Sequence, residues 1–214
     1  MSVTRSIAAE PIRILIADDH PLVRDGIAAL IERQADMVVV GEAASGEEAV
    51  DRFSLLRPDV TLMDVQMPGR GGLDAIETIR GAFPDAVILV LTTYPGDVQA
   101  VRAMRAGASG YLLKNAVRKE LTDAIRAVHA GRRALSADIA HAIAVHAFED
   151  PLTPRELAIL QLVAEGQANR QIAAHLGVST DTIKANLKAL FVKLGVDDRT
   201  HAVTVAVRRG FIAR

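Results

Sequence analysis

Through the first 130 residues, short apolar runs of strand length alternate with amphipathic stretches of helix length. That alternation is the pattern of a parallel sheet with helices on both of its faces. It predicts strands near 12–17, 37–42, 60–63, 86–91 and 110–113, and helices near 22–33, 46–56, 72–80, 97–106 and 118–129. Local punctuation agrees, since Ser45-Gly-Glu-Glu48 is a capping box and Gly107 and Gly131 stand where helix C-caps belong. No G-x-G-x-x-G follows the first strand, which disfavours a dinucleotide-binding domain.

The polar residues that end these runs are the informative ones. Asp18 and Asp19 end Ile12-Arg-Ile-Leu-Ile-Ala17, Asp64 ends Val60-Thr-Leu-Met63, Thr92 ends Ala86-Val-Ile-Leu-Val-Leu91 and Lys114 ends Gly110-Tyr-Leu-Leu113. In an open parallel sheet, ligands collect outside the carboxyl ends of the strands. Three carboxylates converging there form a site for a hard cation such as Mg²⁺. Adjacent acids at a buried edge raise each other's pKa unless a positive charge offsets them. Lys114 and Mg²⁺ supply that charge, and both also neutralise charge developing on a transferring phosphoryl group. Together the carboxylates, hydroxyl and amine can accept, hold and sense such a group.

The chain has 214 residues, half of them apolar, enough for one or two domains with a sizeable core. No basic-then-apolar leader occupies residues 1–11, and the longest apolar runs reach about six residues against the ~20 of a membrane helix. Absence of cysteine excludes disulfides, thiolate metal sites and thiol catalysis, and fits a reducing cytoplasm. Charge is divided unevenly. Residues 1–151 carry 16 Lys and Arg against 21 Asp and Glu, whereas residues 152–214 carry 9 against 5. A basic C-terminal piece beside an acidic N-terminal one points to different partners, nucleic acid being the expectation for the basic piece.

Residues 131–150 read as a linker with a short helix over 138–146, capped by Ser136. His141 and His146 are five apart and so not on one helical face, which makes this a solvated or packing helix rather than a metal site. Four helices follow. Thr153-Pro154-Arg155-Glu156 combines an N-cap hydroxyl, an N1 proline and an N3 glutamate, and that helix stops at Gly166. Asn169 caps the next, ending at Gly177; Ser179 caps one over 180–194, ending at Gly195; Asp198 caps the last, ending near Gly210. The tight link Gly177-Val178-Ser179 makes a helix-turn-helix. On the helix after that turn, Lys184 and Lys188 share a face while Ile183, Leu187, Leu190 and Leu194 form the opposite, core-facing stripe.

Ile14-Leu-Ile-Ala-Asp-Asp-His-Pro21, Leu62-Met-Asp-Val-Gln-Met-Pro68, Leu91-Thr-Thr93 and Gly107-Ala-Ser-Gly-Tyr-Leu-Leu-Lys114 make residues 12–130 resemble the receiver domain of two-component response regulators. The resemblance implies a flavodoxin-like α/β fold on a five-stranded parallel sheet. It implies that Asp64 is the phosphoacceptor, that Asp18, Asp19, Asp64 and the backbone carbonyl of Gln66 hold Mg²⁺, and that Lys114 contacts the phosphoryl oxygens. Thr92 then moves toward the phosphoryl group and Tyr111 changes rotamer in concert. A phosphatase of the haloacid-dehalogenase type also uses a strand-end aspartate, Mg²⁺, a threonine and a lysine. Its chemistry wants a second acid two residues after the nucleophile, where this chain has Gln66. His20, before Pro21 at a helix start, reads as a surface loop residue.

Leu152-Thr-Pro-Arg-Glu156, Asn169-Arg-Gln-Ile-Ala173, Val178-Ser179, Thr182-Ile-Lys184 and Lys193-Leu-Gly-Val196 make residues 151–214 resemble the all-α, four-helix DNA-binding domain of the LuxR and NarL type. The resemblance implies a recognition helix over 180–194 with Lys184, Ala185, Asn186 and Lys188 on the DNA side. Two positions depart from the family pattern: Asn186 stands where many members have His, and Gln171 where they have Glu. Asn pairs readily with adenine edges; the consequence of Gln171 is open. The whole reading is a cytoplasmic, non-enzymatic response regulator. A sensor histidine kinase donates the phosphoryl group, the phosphorylated form is a homodimer, and double-stranded DNA is the target. A regulator of the same architecture that works without phosphorylation is the alternative.

Overall fold

The computed structural model describes residues 10–69, 71–93, 97–146 and 152–212. They divide into two compact units, one of residues 10–93 and 101–139, the other of residues 97–100 and 140–212.

The first unit is the alternating α/β part. Its strands are β1 (Ile12–Ala17), β2 (Met37–Ala43), β3 (Val60–Asp64), β4 (Ile88–Thr92), β5 (Gly110–Leu113) and β6 (Ala134–Leu135). The helices between them are α1 (Pro21–Glu32), α2 (Gly46–Leu56), α3 (Gly72–Ala82), α4 (Asp97–Arg105), whose first four residues count with the second unit, and α5 (Val117–His129). All pairings are parallel, in the order β2-β1-β3-β4-β5-β6. Strands β3, β4 and β5 are buried at every position, which is why they read as unbroken apolar runs and not as alternation. The core under α1 and α5 is built from Ile14, Ile16, Leu62, Leu89, Leu91, Leu121 and Ile125.

The sheet has a sixth strand that the sequence reading lacks. Its two residues lie in the stretch expected to be linker, where Gly110 pairs with Ala134 and Tyr111 with Leu135. Two residues are too few to carry any periodicity. The helix after it, α6 (Ala137–His146), begins close to its expected place, but the Ser136 hydroxyl is buried and makes no hydrogen bond among the described residues. The expected capping box at Ser45 is half realised. The Ser45 hydroxyl accepts from the Glu48 N–H, while the Glu48 carboxylate accepts from the N–H of Ala44, one residue further out.

The second unit holds α7 (Pro154–Ala164), α8 (Asn169–His175), α9 (Thr180–Leu194) and α10 (Arg199–Arg209). Thr153 and Glu156 complete their capping box, with Thr153 Oγ1 accepting from Glu156 N–H at 3.2 Å and Glu156 Oε2 accepting from Thr153 N–H at 2.7 Å. Ser179 and Asp198 cap α9 and α10 as expected. Asn169 does not cap α8: the N-cap is Ala168, whose N–H donates to the Gln171 side-chain oxygen at 2.7 Å. Gln171 therefore does the N3 half of a capping box, a place that either a glutamine or a glutamate can fill. Gly177, between α8 and α9, sits at φ 64, a left-handed conformation that glycine adopts without penalty. Leu160, Leu190, Leu194, Val205 and Ala206 form one core cluster, and Ile159, Val163, Ile172, Ile183 and Leu187 a second.

Candidate functional site

The sheet order turns back on itself at β1, which has β2 on one side and β3 on the other. Such a reversal opens a crevice at the carboxyl ends of the two strands that flank it. Asp18 and Asp19 follow β1 and Asp64 ends β3, so acids 45 or more positions apart become neighbours across the crevice. Asp18, Asp19, His20 and Asp64 each bring a ligand atom within 4.8 Å of the others. Lys114, just beyond β5, reaches into the same place, its Nζ 2.7 Å from Asp18 Oδ2 and 2.6 Å from Asp64 Oδ2. The Gln66 N–H donates to Asp64 Oδ1 at 3.0 Å.

Asp18 and Asp64 are 1% and 2% exposed, so the Coulomb terms at this edge are large. Burial pushes the Asp64 carboxyl above the usual carboxylate range; the Lys114 and Gln66 hydrogen bonds oppose it, and the Asp18 charge adds to it. Burial also disfavours the charge on Lys114, but its hydrogen bonds to both carboxylates outweigh that and hold the ammonium above the usual lysine range. One ammonium thus faces two buried carboxylates and a third, half-buried one at Asp19. Asp19 Oδ1 is buried and, apart from the His20 ring nitrogen at 2.7 Å, has no hydrogen-bond donor among the described residues. The cluster carries an excess of negative charge and all-oxygen carboxylate donors, which suits a hard divalent cation.

Thr92 closes β4 and is fully buried, in register with Leu113 next to Lys114. The Lys114 N–H donates to the Thr92 carbonyl at 2.6 Å. On β5, Tyr111 is fully buried, and that burial pushes its phenol up to about 12. All the sequence-predicted residues of this half therefore gather at one sheet edge. His20 is largely exposed, as expected of a loop residue, yet its Nδ1 also lies against the acids.

Two features of the edge escape a sequence reading. Gly72, at the start of α3, is packed so closely on the Asp64 backbone that a Cβ there would overlap the Asp64 carbonyl oxygen. Arg24, one turn into α1, donates from Nη1 to the Asp18 carbonyl at 2.6 Å and from Nε to Glu42 Oε2 at 3.1 Å, bracing the ends of β1 and β2. An arginine at a helix start carries no local mark of such a role.

In the second unit, α9 turns Ile183, Leu187, Leu190 and Leu194 inward and leaves Lys184, Ala185 and Lys188 exposed. Lys184 Nζ is paired with Asp181 Oδ1 at 3.0 Å. Asn186 is half-buried, and its Nδ2 donates to the Thr182 carbonyl of its own helix at 2.8 Å, which engages one amide proton and leaves the other, with Oδ1, for the donor-and-acceptor pair that an adenine edge takes. The scaffold behind this face is held by polar contacts between distant positions. Glu156 Oε2 pairs with Lys193 Nζ at 2.9 Å, and Arg199 Nη2 donates to the carbonyls of Val163 and Gln167.

The Glu156 pair gives a pH prediction. Burial raises the Glu156 carboxyl, but the Thr153 N–H and Lys193 outweigh it, and the net value lies below the ordinary 4.5. A carboxyl depressed in the folded state contributes stability that is present above its unfolded pKa and lost as pH falls through the folded one. Protection of the amides of residues 152–212 against hydrogen exchange in the full chain is therefore expected to fall as pH drops below 4.5. Glu156→Gln should be less protected at neutral pH and flatter across that window. An unchanged pH profile in Glu156→Gln would remove Glu156 as its source.

An acid-lined edge of a parallel α/β domain, followed by a helix-turn-helix unit with a basic exposed helix face, defines a signal-receiving transcription regulator. Family comparison agrees on both halves: the response regulator receiver domain matches residues 14–126, and the bacterial regulatory proteins of the luxR family match residues 150–206. The chain belongs to the two-component response regulators with a LuxR-type domain, which are phosphorylation-controlled, DNA-binding transcription regulators. It is 39% identical to the transcriptional regulatory protein LiaR of Bacillus subtilis over 209 residues, covering 94% of this chain and 99% of LiaR. It is 34% identical to the response regulator protein VraR of Staphylococcus aureus over 206 residues, covering 94% and 99%. Among solved structures it resembles RcsB from Salmonella enterica serovar Typhimurium bound to promoter P1flhDC in the presence of the phosphomimetic BeF3-. That match has a TM-score of 0.73 and 28% identity, over 92% of this chain and 98% of RcsB. No described helix is long and apolar enough to cross a membrane.

Proposed function

We propose that Asp64 is the phosphoacceptor of this regulator, and the observation that carries the reading is the Lys114 ammonium bridging Asp18 and Asp64 at the sheet edge. A carboxylate oxygen of Asp64 attacks the phosphorus of a kinase's phosphohistidine. The O–P bond forms, the P–N bond breaks, and its electron pair returns to the imidazole. Lys114 faces the oxygens on which charge develops. Asp18, Asp19, Asp64 and the Gln66 carbonyl would hold Mg²⁺, and the excess carboxylate charge and the buried Asp19 oxygen fit that ion. When bound, Mg²⁺ neutralises further charge on the transferring group. Thr92 and Tyr111 then sense the phosphoryl group, and their burial on the neighbouring strands β4 and β5 suits that role.

In this reading residues 12–130 are the receiver, 131–150 the connector and 151–214 the DNA-binding domain. Lys184, Ala185, Asn186 and Lys188 face double-stranded DNA in the cytoplasm. A sensor histidine kinase supplies the phosphoryl group, and catalysis by the regulator itself is limited to its own phosphorylation and slow hydrolysis. The active form is a homodimer on a dyad site whose halves lie about one DNA turn, ~34–36 Å, apart.

With Mg²⁺ and a beryllofluoride mimic, sedimentation should show a larger dimer fraction. Binding isotherms should tighten on a dyad duplex by a coupling of about 1–3 kcal/mol, roughly 5–150-fold. Thr92→Ala should still take up phosphoryl groups but lose most of that gain. Identical sedimentation and isotherms with and without the mimic would replace this reading with the phosphorylation-independent alternative.

A further inference from the structure

The exposed start of α9 carries one acid among its bases, and the DNA-binding reading so far gives it no part. Asp181 and Lys184 are one turn apart on one face, joined at 3.0 Å, with side chains 88% and 64% exposed. An acid in the first turn of a helix complements the helix dipole, and an exposed i,i+3 ion pair adds little stability. Neither effect requires the acid to stand on the surface that meets DNA. The cap does not use it either: Ser179 Oγ accepts from the Thr182 N–H and touches the Thr182 hydroxyl. A carboxylate here costs affinity for any phosphate backbone, because it repels phosphate and occupies an ammonium that would otherwise pair with one.

We propose that Asp181 is a specificity-determining residue that makes this face read bases rather than bind phosphate; the inference rests on α9 being the helix that enters the major groove. On arbitrary sequence Asp181 keeps Lys184 engaged and repels the backbone. At the target, Lys184 donates to guanine O6 and N7, and the released carboxylate accepts from a cytosine amino group, the usual partner of a carboxylate at a base edge. Donor and acceptor lie side by side on one helix turn, so the two contacts fall on neighbouring base pairs. Discrimination of this kind works by penalising wrong partners as well as by rewarding the right one.

The test uses the full chain and a duplex library randomised across one half-site, comparing wild type, Asp181→Ala, Asp181→Asn and, as a control for net charge, Glu165→Gln on α7's far end, with Lys184→Ala alongside. Asp181→Ala should lose the cytosine preference at one position while keeping it elsewhere, and Asp181→Asn, which keeps an acceptor but adds a donor, should shift that preference toward adenine. Both should also bind a non-target duplex several-fold more tightly, with a salt dependence steeper by about one phosphate contact. Glu165→Gln should leave both quantities unchanged. Unaltered base preference in both variants, or equal tightening by Glu165→Gln, would overturn the proposal. Failure of the underlying reading looks different: Lys184→Ala would then bind all duplexes as wild type does. Circular dichroism of the two Asp181 variants separates a lost helix start, which would weaken binding to every sequence, from a lost base contact.

Discussion

Asp64→Asn is expected to take up no phosphoryl group from acetyl phosphate or from a phosphohistidine donor, while the wild-type protein forms a hydroxylamine-labile acyl phosphate. The substitution keeps the shape of the side chain and an oxygen to accept from the Gln66 N–H, now at 3.0 Å. It removes the anionic nucleophile. The fold should survive, because burial already disfavours the Asp64 charge and Lys114 keeps Asp18 as a partner. Loss of labelling with an unaltered melting curve is therefore the signature of a missing nucleophile, and full labelling of Asp64→Asn would refute the assignment. Lys114→Ala is the complementary case. It leaves two carboxylates buried without their ammonium, a change that typically costs about 3–5 kcal/mol, so labelling and stability should both suffer.

Removing the lysines of α9 has the second largest effect. Lys184→Ala and Lys188→Ala should each weaken target binding by about 1–3 kcal/mol, roughly 5–150-fold, where the lysine contacts a base edge. The double variant need not equal the sum, since the two residues share one contact surface. Lys184→Ala should be the more severe, because it removes a base contact and also the positive charge that offsets the neighbouring Asp181 carboxylate against the DNA phosphates. Filter binding at several salt concentrations distinguishes the two kinds of contact. A lost base contact lowers target affinity alone, whereas a lost phosphate contact lowers affinity for all sequences and reduces the salt slope by about one. A footprint that neither substitution changes would exclude α9 as the recognition helix.

Sequence alone determined the elements whose environment is uniform along their length. Strands β3, β4 and β5 are buried on both faces, so their positions before the last, Thr61 apart, had to be apolar and the runs were legible without partners. The polar residues that interrupt those runs, Asp64, Thr92 and Lys114, were legible for the same reason: a charge at the end of a buried strand must face a site or a solvent edge. Capping at Thr153, Ser179 and Asp198 is local hydrogen bonding within four residues, and it too was written in the sequence. Asn169 was misplaced by one residue because Ala168 offers no side chain to mark the cap, and the oxygen that satisfies its N–H comes from Gln171.

Tertiary structure decided what depends on strand order and on the distance between remote positions. That Asp18 and Asp64 share one ammonium follows from β1 and β3 being neighbours with β5 two strands further on, a fact of topology with no local trace. The brace from Arg24 to Asp18 and Glu42, the close seat of Gly72 on Asp64, and the Glu156–Lys193 and Arg199 contacts that steady α9 all join residues whose own neighbourhoods in sequence are ordinary. Strand β6 belongs with them. Two residues of unremarkable composition become a strand because β5 presents them an unpaired edge, and an edge exists only once the sheet does.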